Sequence, residues 1–416
     1  MPPEPTDRRS FLRTLVGAAV AGPALVRAEA AQAAVPRTAR ASQEAYLLDP
    51  GLTYLNHASI GTVPRTVHEA HRAYLELCES HPSLYVWGEP WRVATEETRT
   101  AAAALLGAEG DDLAITHNTT EGFNVLAHGL PLEAGDEVLF SSLNHGGASM
   151  PWRGQARRRG FTVRRFDFPV EQAPELTSDE VVELHRRALS PETRVLVVPH
   201  VDNQVGLRHP LPELAAMARS EGVRWVLVDG AQSAGMLPVD LAASGVDAYA
   251  MSPHKWIQSP KGLGLFWTRP ELRRLVPAFW YRTAMSRHDS ARRYEDYSTR
   301  AWPAVVALGD AVAFQRALGP DETARRHRAI RRRIQDRVAS EPRLSWRSPG
   351  SWALGSAIVS VRVEGHPAAE LGPELLQDHN IVVRAFGGPL DHLRLSPHVA
   401  TPDAQIDAAL DLLAAR

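Results

Sequence analysis

Short apolar runs bounded by polar or turn residues recur through the middle of the chain: Glu137 to Ser141, Arg194 to Pro199, Trp225 to Val228 and Ala248 to Met251. Each is too short for a helix and has the character of a strand buried on both faces of a parallel sheet. Asp111 to Thr116 predicts a further short strand, and residues 211 to 221 a helix between two of these runs. Strand, helix, strand at this spacing predicts an α/β fold with a mostly parallel sheet. Upstream, Val67 to Cys78 has helical periodicity and a helix start near Pro64, while Tyr85 to Arg92 is aromatic-rich, suiting a pocket wall or an interface loop. Arg153 to Arg165 is basic and reads as a solvated helix and short strand. Beyond Trp267 the pattern becomes irregular. A long helical stretch, Pro303 to Ala339, then leads to strands at Ala357 to Val363 and Ile381 to Arg384. The expected organisation is an N-terminal arm over 34–60, flexible over 34–50, a large domain over 61–302, and a linking helix with a smaller α+β domain over 303–416.

The first 33 residues stand apart. Asp7-Arg8-Arg9-Ser10-Phe11-Leu12-Arg13 has the form of a twin-arginine export motif. A small apolar stretch, Leu15 to Val26, and an A-x-A cleavage pattern, Ala31-Gln32-Ala33, follow it. The apolar run is too short to span a bilayer, and no run of about 20 apolar residues follows it. Residues 1–33 therefore predict a leader read by the twin-arginine translocation machinery and a mature protein in the periplasm or outside the cell. Formal net charge is −2, 23% of residues are charged, and no basic block lies outside the leader, which argues against nucleic acid as a partner. Cys78 is the only cysteine, so the chain forms no internal disulfide.

The candidate chemistry gathers between Trp225 and Trp267. Ligands of open α/β sheets bind beyond the carboxyl ends of the strands, and Asp229 ends one apolar run there. The run Ala248 to Met251 delivers Ser252, His254 and Lys255 to the same edge. Of 46 lysines and arginines only two are lysine, Lys255 and Lys261. Arginine replaces lysine wherever a solvated charge suffices. It does not replace an amine that must lose its proton and attack a carbonyl, because guanidinium does not deprotonate in proteins. An acid at one strand end and such an amine about 26 residues on suit a pyridoxal phosphate enzyme, in which the amine meets the aldehyde and the acid faces the pyridine nitrogen.

Asp229-Gly230-Ala231-Gln232, Ser252-Pro253-His254-Lys255 and Pro260-Lys261-Gly262 resemble the class V aminotransferase family of fold-type I enzymes, the group containing cysteine desulfurases, kynureninases and isopenicillin N epimerase. The resemblance runs from Tyr54 to the C-terminus and looks nearest the isopenicillin N epimerase-like branch, whose exported members include a tailoring enzyme of the siderophore pyoverdine. It implies a seven-stranded sheet and pyridoxal 5'-phosphate as cofactor. Lys255 and Asp229 would be catalytic, with Ser252 and His254 beside the cofactor. His117 to Asn124 has N-cap chemistry before an apolar-periodic stretch, and a helix N-terminus binds phosphate. By the resemblance, Thr119 and Thr120 hold the cofactor phosphate. His145 would stack on the ring as a catalytic residue, although Asn144 stands where the family usually has Glu, which weakens an acid/base role. Asn203 and Gln232 would meet the phenolic oxygen.

Glu295-Asp296-Tyr297-Ser298-Thr299-Arg300 is similar to a segment whose threonine reaches the phosphate in the neighbouring subunit. Thr299 is the match, with Ser298 replacing the usual glycine, and the implied assembly is a homodimer with a shared site. Ile381 to Gly388 and Leu393-Arg394-Leu395-Ser396-Pro397 resemble the C-terminal signature, in which Arg394 would bind a substrate α-carboxylate as a fork and Arg384 assist. Asn56 and His57, in Tyr54 to Gly61, are candidate substrate contacts.

The expected function is transamination or epimerisation of an amino acid or an amino-acid-derived secondary metabolite. A C–S or C–N lyase of the cysteine desulfurase kind is the alternative, opposed by the absence of cysteine from Arg384 to Asp391. A serine hydrolase built on Ala231-Gln232-Ser233-Ala234-Gly235 is a distant third, because the nucleophile elbow lacks its first glycine. No GxGxxG loop follows a first strand, since Gly262-Leu263-Gly264 falls in an expected hairpin, and His68-Glu69-Ala70-His71 lacks metalloprotease spacing, so no metal is expected.

Overall fold

The computed structural model describes residues 43–283 and 289–416, so the export motif, the cleavage pattern and residues 34–42 lie outside the described residues. The chain begins with a short strand, β1 (Thr53–Tyr54), and three helices, α1 (Arg65–Ser80), α2 (Pro82–Trp87) and α3 (Glu89–Leu105). An alternating series follows: β2 (Leu113–Thr116), α4 (Thr119–Gly129), β3 (Glu137–Ser141), α5 (Gly146–Arg159), β4 (Thr162–Phe166), α6 (Ser178–Ala188), β5 (Thr193–Pro199), α7 (Leu211–Ser220) and β6 (Trp225–Asp229). Strands β7 (Ala248–Met251) and β8 (Gly264–Thr268) complete one seven-stranded sheet, ordered β2-β8-β7-β6-β5-β3-β4. Only β8 runs antiparallel to its neighbours.

The reason these runs form a doubly covered sheet is visible in the alternation of side chains. Ile115, Leu139, Leu196, Val198, Val226 and Val228 pack on one face with α7 residues such as Leu211 and Ala215. Ala114, Val138, Phe140, Val195, Val197 and Leu227 pack on the other with Phe123 and Leu126 of α4 and Trp152 of α5. Strands apolar at every position are stable only when both faces are covered.

After α8 (Pro270–Leu275) come α9 (Trp302–Leu318) and α10 (Pro320–Ala339). The single helical stretch expected over Pro303 to Ala339 is thus two helices. Gly319, at φ 81°, ends the first, and Pro320 opens the second. Helix α9 is buried along most of its length, and Ala304, Val305, Leu308 and Phe314 join the core of the large sheet. Helix α10 instead sends Ile330, Ile334 and Val338 into the core of the C-terminal region.

The C-terminal region contains β9 (Leu344–Trp346), β10 (Val359–Val363), α11 (Ala368–His379), β11 (Ile381–Val382), β12 (Arg384–Phe386), β13 (His392–Leu395) and α12 (Asp403–Ala414). Its antiparallel sheet is ordered β12-β13-β10-β9. The expected strand Ile381 to Arg384 is divided: Ile381 and Val382 pair in parallel with β1, while Arg384 opens β12. Residues 53–56 are accordingly built into the C-terminal region, where Asn56 also bridges to Ser396.

Two other segments differ from expectation. Tyr85 to Arg92 is helical on both sides of Gly88, and Trp91 is buried edge-on to Tyr74 and Tyr85. Within the basic stretch, Arg159 donates to the carbonyls of Leu130 and Leu132 past the end of α4, and Arg164 pairs with Glu137, so these two are engaged rather than solvated. No helix among the described residues is long and apolar enough to cross a membrane.

Candidate active site

The carboxyl ends of β2, β3, β5, β6 and β7 meet at one edge of the sheet around a cavity of about 240 Å³. Thr119, Thr120, His145, Asn203, Asp229, Gln232, Ser252, His254 and Lys255 all line it. The structure therefore brings together nine of the expected site residues from five separate loops.

Lys255 is held by the turn after β7, where its N–H donates to the Ser252 carbonyl at 3.1 Å. Its amine is buried. That burial pushes its pKa down to about 8, the Asp229 charge pulls it up, and Arg394 pushes it down again. The amine is therefore available as a neutral nucleophile close to neutral pH. Reaction of the cofactor-free protein with an aldehyde reagent should rise through a midpoint near pH 8. A midpoint near 10.5, the ordinary lysine value, would contradict this environment. Gly61 packs directly on this turn: its N–H donates to the His254 carbonyl at 3.2 Å, and a Cβ there would lie 2.0 Å from the Lys255 carbonyl oxygen. Gly61→Ala is expected to destabilise the fold by about 1–3 kcal/mol. A thermal midpoint equal to that of the parent protein would show that the contact is absent.

Asp229 is buried. Burial pushes its carboxyl up, against a hydrogen bond from the Ala231 N–H at 3.0 Å and the charges of Lys255 and His145. Lys261, the second lysine, does not line the cavity.

Thr119 and Thr120 stand at the N-terminus of α4, where the Asn118 side chain caps the helix by accepting from the Glu121 N–H at 3.0 Å. The Thr119 and Ser252 hydroxyls share a hydrogen bond of 2.8 Å, which ties this turn to the lysine loop. His145 caps α5 by accepting from the Gly147 N–H through Nδ1 at 3.1 Å. Its neighbour Asn144 turns back to the sheet, accepting from the Ser141 N–H and donating to the Val197 carbonyl. A glutamate there has no N–H to give that carbonyl. Gln232 donates to the Ala58 carbonyl at 2.8 Å and accepts from Trp256 Nε1 at 2.9 Å, so part of its amide is already committed.

Arg394, buried in β13, lies behind the cavity wall. It donates from Nη1 to the Asn203 carbonyl and from Nη2 to Asn56 Oδ1 and Ser59 Oγ, at 2.7, 2.8 and 2.6 Å. Its Nε has no partner among the described residues, and burial pushes its pKa down to about 10. Asn56 thus orients Arg394. His57 is turned elsewhere: it is buried and stacks on His398 at 4.8 Å, outside the cavity lining. Arg384 is exposed, with its guanidinium 5.6 Å from the Phe386 ring centre, and does not line the cavity either. Thr299 is exposed and outside the cavity of its own chain. Ser298 is not in the left-handed backbone region, so that position does not require glycine.

Two contributors were not singled out in the sequence. Ser59 lines the cavity and accepts from Arg394. Asp202 is buried and accepts from the N–H groups of Gln204, Val205 and Leu207, folding the loop that carries Asn203. Burial pushes the Asp202 carboxyl up to about 6 against these bonds. An acid just before Asn203 in Asp-Asn-x-x-Gly is a turn signal that points to it. Ser233, by contrast, is fully buried, bonds to the Gly230 carbonyl and Tyr249, and has no access to the cavity.

Residues 53–392 match the family model described as aminotransferase class V. The chain belongs to the class V aminotransferase family. It is 32% identical over 388 residues to an isopenicillin N epimerase of Streptomyces clavuligerus, an alignment covering 88% of this chain and 95% of that one. It is 30% identical to the isopenicillin N epimerase of Amycolatopsis lactamdurans over 89% of this chain and 97% of the relative. A probable cysteine desulfurase of Pseudomonas aeruginosa is 30% identical over 80% of this chain and 84% of its own. A solved cystine C–S lyase in complex with its product cysteine persulfide has the same fold, with a TM-score of 0.79 at 24% identity over 88% of this chain and 98% of that structure.

The protein is a pyridoxal 5'-phosphate-dependent enzyme of the transferase or isomerase type. The residues present fit that cofactor. A buried amine and a buried carboxylate share one cavity with a capped helix N-terminus, and His254 Nδ1 is buried without a partner among the described residues. Thr119, Thr120 and Ser252 would hold the phosphate. When bound, the cofactor supplies an aldehyde for an amine and a ring that draws electrons from the α-carbon. Lys255 offers the amine and, once free, a proton carrier. Asp229 offers a fixed negative charge in a dry wall. Arg394, expected to grip a substrate carboxylate, does not line the cavity: its guanidinium is spent on Asn203, Asn56 and Ser59, and its charge lies behind the wall.

Proposed function

We propose that this enzyme transfers the amino group, or inverts the α-carbon, of an amino acid or amino-acid-derived secondary metabolite. The observation that carries the reading is the pairing of the neutral-prone Lys255 amine with the buried Asp229 carboxylate, with Arg394 held behind Asn203 and Ser59. Similarity to two isopenicillin N epimerases supports α-carbon chemistry. The exposed Ser298 and Thr299 support a homodimer in which Thr299 serves the partner's phosphate. The twin-arginine motif supports action in the periplasm or outside the cell on a secreted metabolite. Lyase chemistry of the desulfurase kind is disfavoured, because the single cysteine, Cys78, is buried in α1 beside Tyr74 and Trp91 and does not line the cavity.

The test is the absorbance of the purified mature protein with a panel of amino acids. Conversion of the cofactor band to that of pyridoxamine phosphate indicates transamination. An unchanged band with solvent deuterium entering the α-carbon indicates epimerisation. Keto acid released with a lost β-substituent, or no response to any amino compound, would overturn the proposal.

A further inference from the structure

Among the described residues, strand β2 is an edge of the large sheet, with β8 as its one strand partner. Its outer side presents the Leu113 carbonyl and both backbone groups of Ile115. Three charged side chains stand where an eighth strand would lie. Arg99 donates to the Leu113 carbonyl at 2.9 Å, Glu295 accepts from the Ile115 N–H at 2.7 Å, and Arg300 donates to the Ile115 carbonyl at 2.7 Å. Glu295 also bonds both arginines, and the side chains of Arg99, Glu295 and Arg300 are 2%, 7% and 5% exposed. A buried carboxylate between two guanidinium groups keeps its place because each of the three charges is paired.

This triad fixes the path of residues 295–300. Tyr297 lies against the His117 ring at 4.7 Å, and the Arg300 guanidinium lies 5.1 Å from the Tyr297 ring and 5.2 Å from that of Trp302. His117 stands two residues before Thr119, in the turn that opens α4. Between the anchored Tyr297 and Arg300 only Ser298 and Thr299 are exposed, and their hydroxyls have no partner among the described residues. A two-residue segment with both flanks pinned has little conformational freedom left to lose when a ligand orders it.

We infer that Glu295, held by Arg99 and Arg300, is a positioning residue that sets the Thr299 hydroxyl for the phosphate of a cofactor bound by a second copy of this chain. The inference rests on the homodimer reading above. Glu295 acts through the edge of β2 and touches neither cofactor nor substrate. Neutralising it leaves the buried Arg300 without its carboxylate and Arg99 with Glu96 alone, which loosens the segment that carries Thr299.

The experiment measures dissociation constants of pyridoxal 5'-phosphate and of pyridoxal, which lacks the phosphate, by spectroscopic titration of the full-length protein. Thr299→Ala should weaken pyridoxal phosphate about tenfold, the typical worth of one hydrogen bond to a charged group, and leave pyridoxal unchanged. Glu295→Gln should reproduce that selective loss, and the double variant should be no weaker than either single one. If Glu295→Gln does not fold, Arg300→Lys, which keeps the charge but removes the fork joining Glu295 to the Ile115 carbonyl, should show the same phosphate-selective loss. Equal weakening of both ligands, or of neither, by these variants while Thr299→Ala remains selective would overturn the inference and leave the dimer reading intact. No effect of Thr299→Ala would overturn the dimer reading, and the inference with it.

Discussion

Lys255→Ala is expected to lower turnover by at least about 10³-fold and to leave no cofactor attached after borohydride reduction. The size of the effect follows from the cavity having one amine. Lys261 is outside its lining, and the remaining basic residues of the chain are arginines and histidines, which do not replace a nucleophilic amine. The same variant should not unfold the protein. Lys255 has its pKa lowered by burial from 10.5 to about 8, so the charge costs the folded chain stability in full below about pH 8, a cost that fades as pH rises to 10.5. Removing the amine relieves that penalty, and the cofactor-free variant should melt no earlier than the parent at pH 7. Turnover would be compared alongside thermal midpoints. A variant that retained most of its activity would remove Lys255 from the mechanism.

Asp229→Asn has the second largest expected effect, with two readouts of opposite sense. Turnover should fall on the order of 10³-fold, as when a preorganised charge is taken from a dry site. The Lys255 titration in the cofactor-free protein should move below pH 8, because the Asp229 charge is what raises the amine against its burial. The hydrogen bond from the Ala231 N–H is still acceptable to an amide oxygen, so the turn after β6 is preserved. An unchanged lysine midpoint would mean that the two groups do not sense each other, and unchanged turnover would free Asp229 from its assigned role.

Much of this site was legible because strand ends are set by local pattern. Glu137 to Ser141 and Ala248 to Met251 form strands with the expected bounds, and the residues that follow them reach the cavity. The lysine census rests on a chemical reason, the inability of guanidinium to give up a proton, and it singled out a residue that lines the cavity. What stayed hidden depends on contacts far apart in sequence. The pairing of Thr53 and Tyr54 with Ile381 and Val382 carries Asn56 to Arg394, and no local pattern announces it. His57, one residue on, opens a turn and stacks on His398 instead. What Asn144 does is not visible from its type alone. Its amide serves backbone groups of β3 and β5, so it is not a substitute for a charge beside His145. The break at Gly319 was readable in principle, since glycine followed by proline ends one helix and opens another.

The central claim, that Lys255 carries the cofactor in this cavity, is tested most directly by reducing the purified protein with borohydride in the presence of pyridoxal 5'-phosphate and mapping the labelled peptide by mass spectrometry. The account predicts one label, on the peptide at Lys255. A label at Lys261, or no label while the protein remains folded, would contradict it.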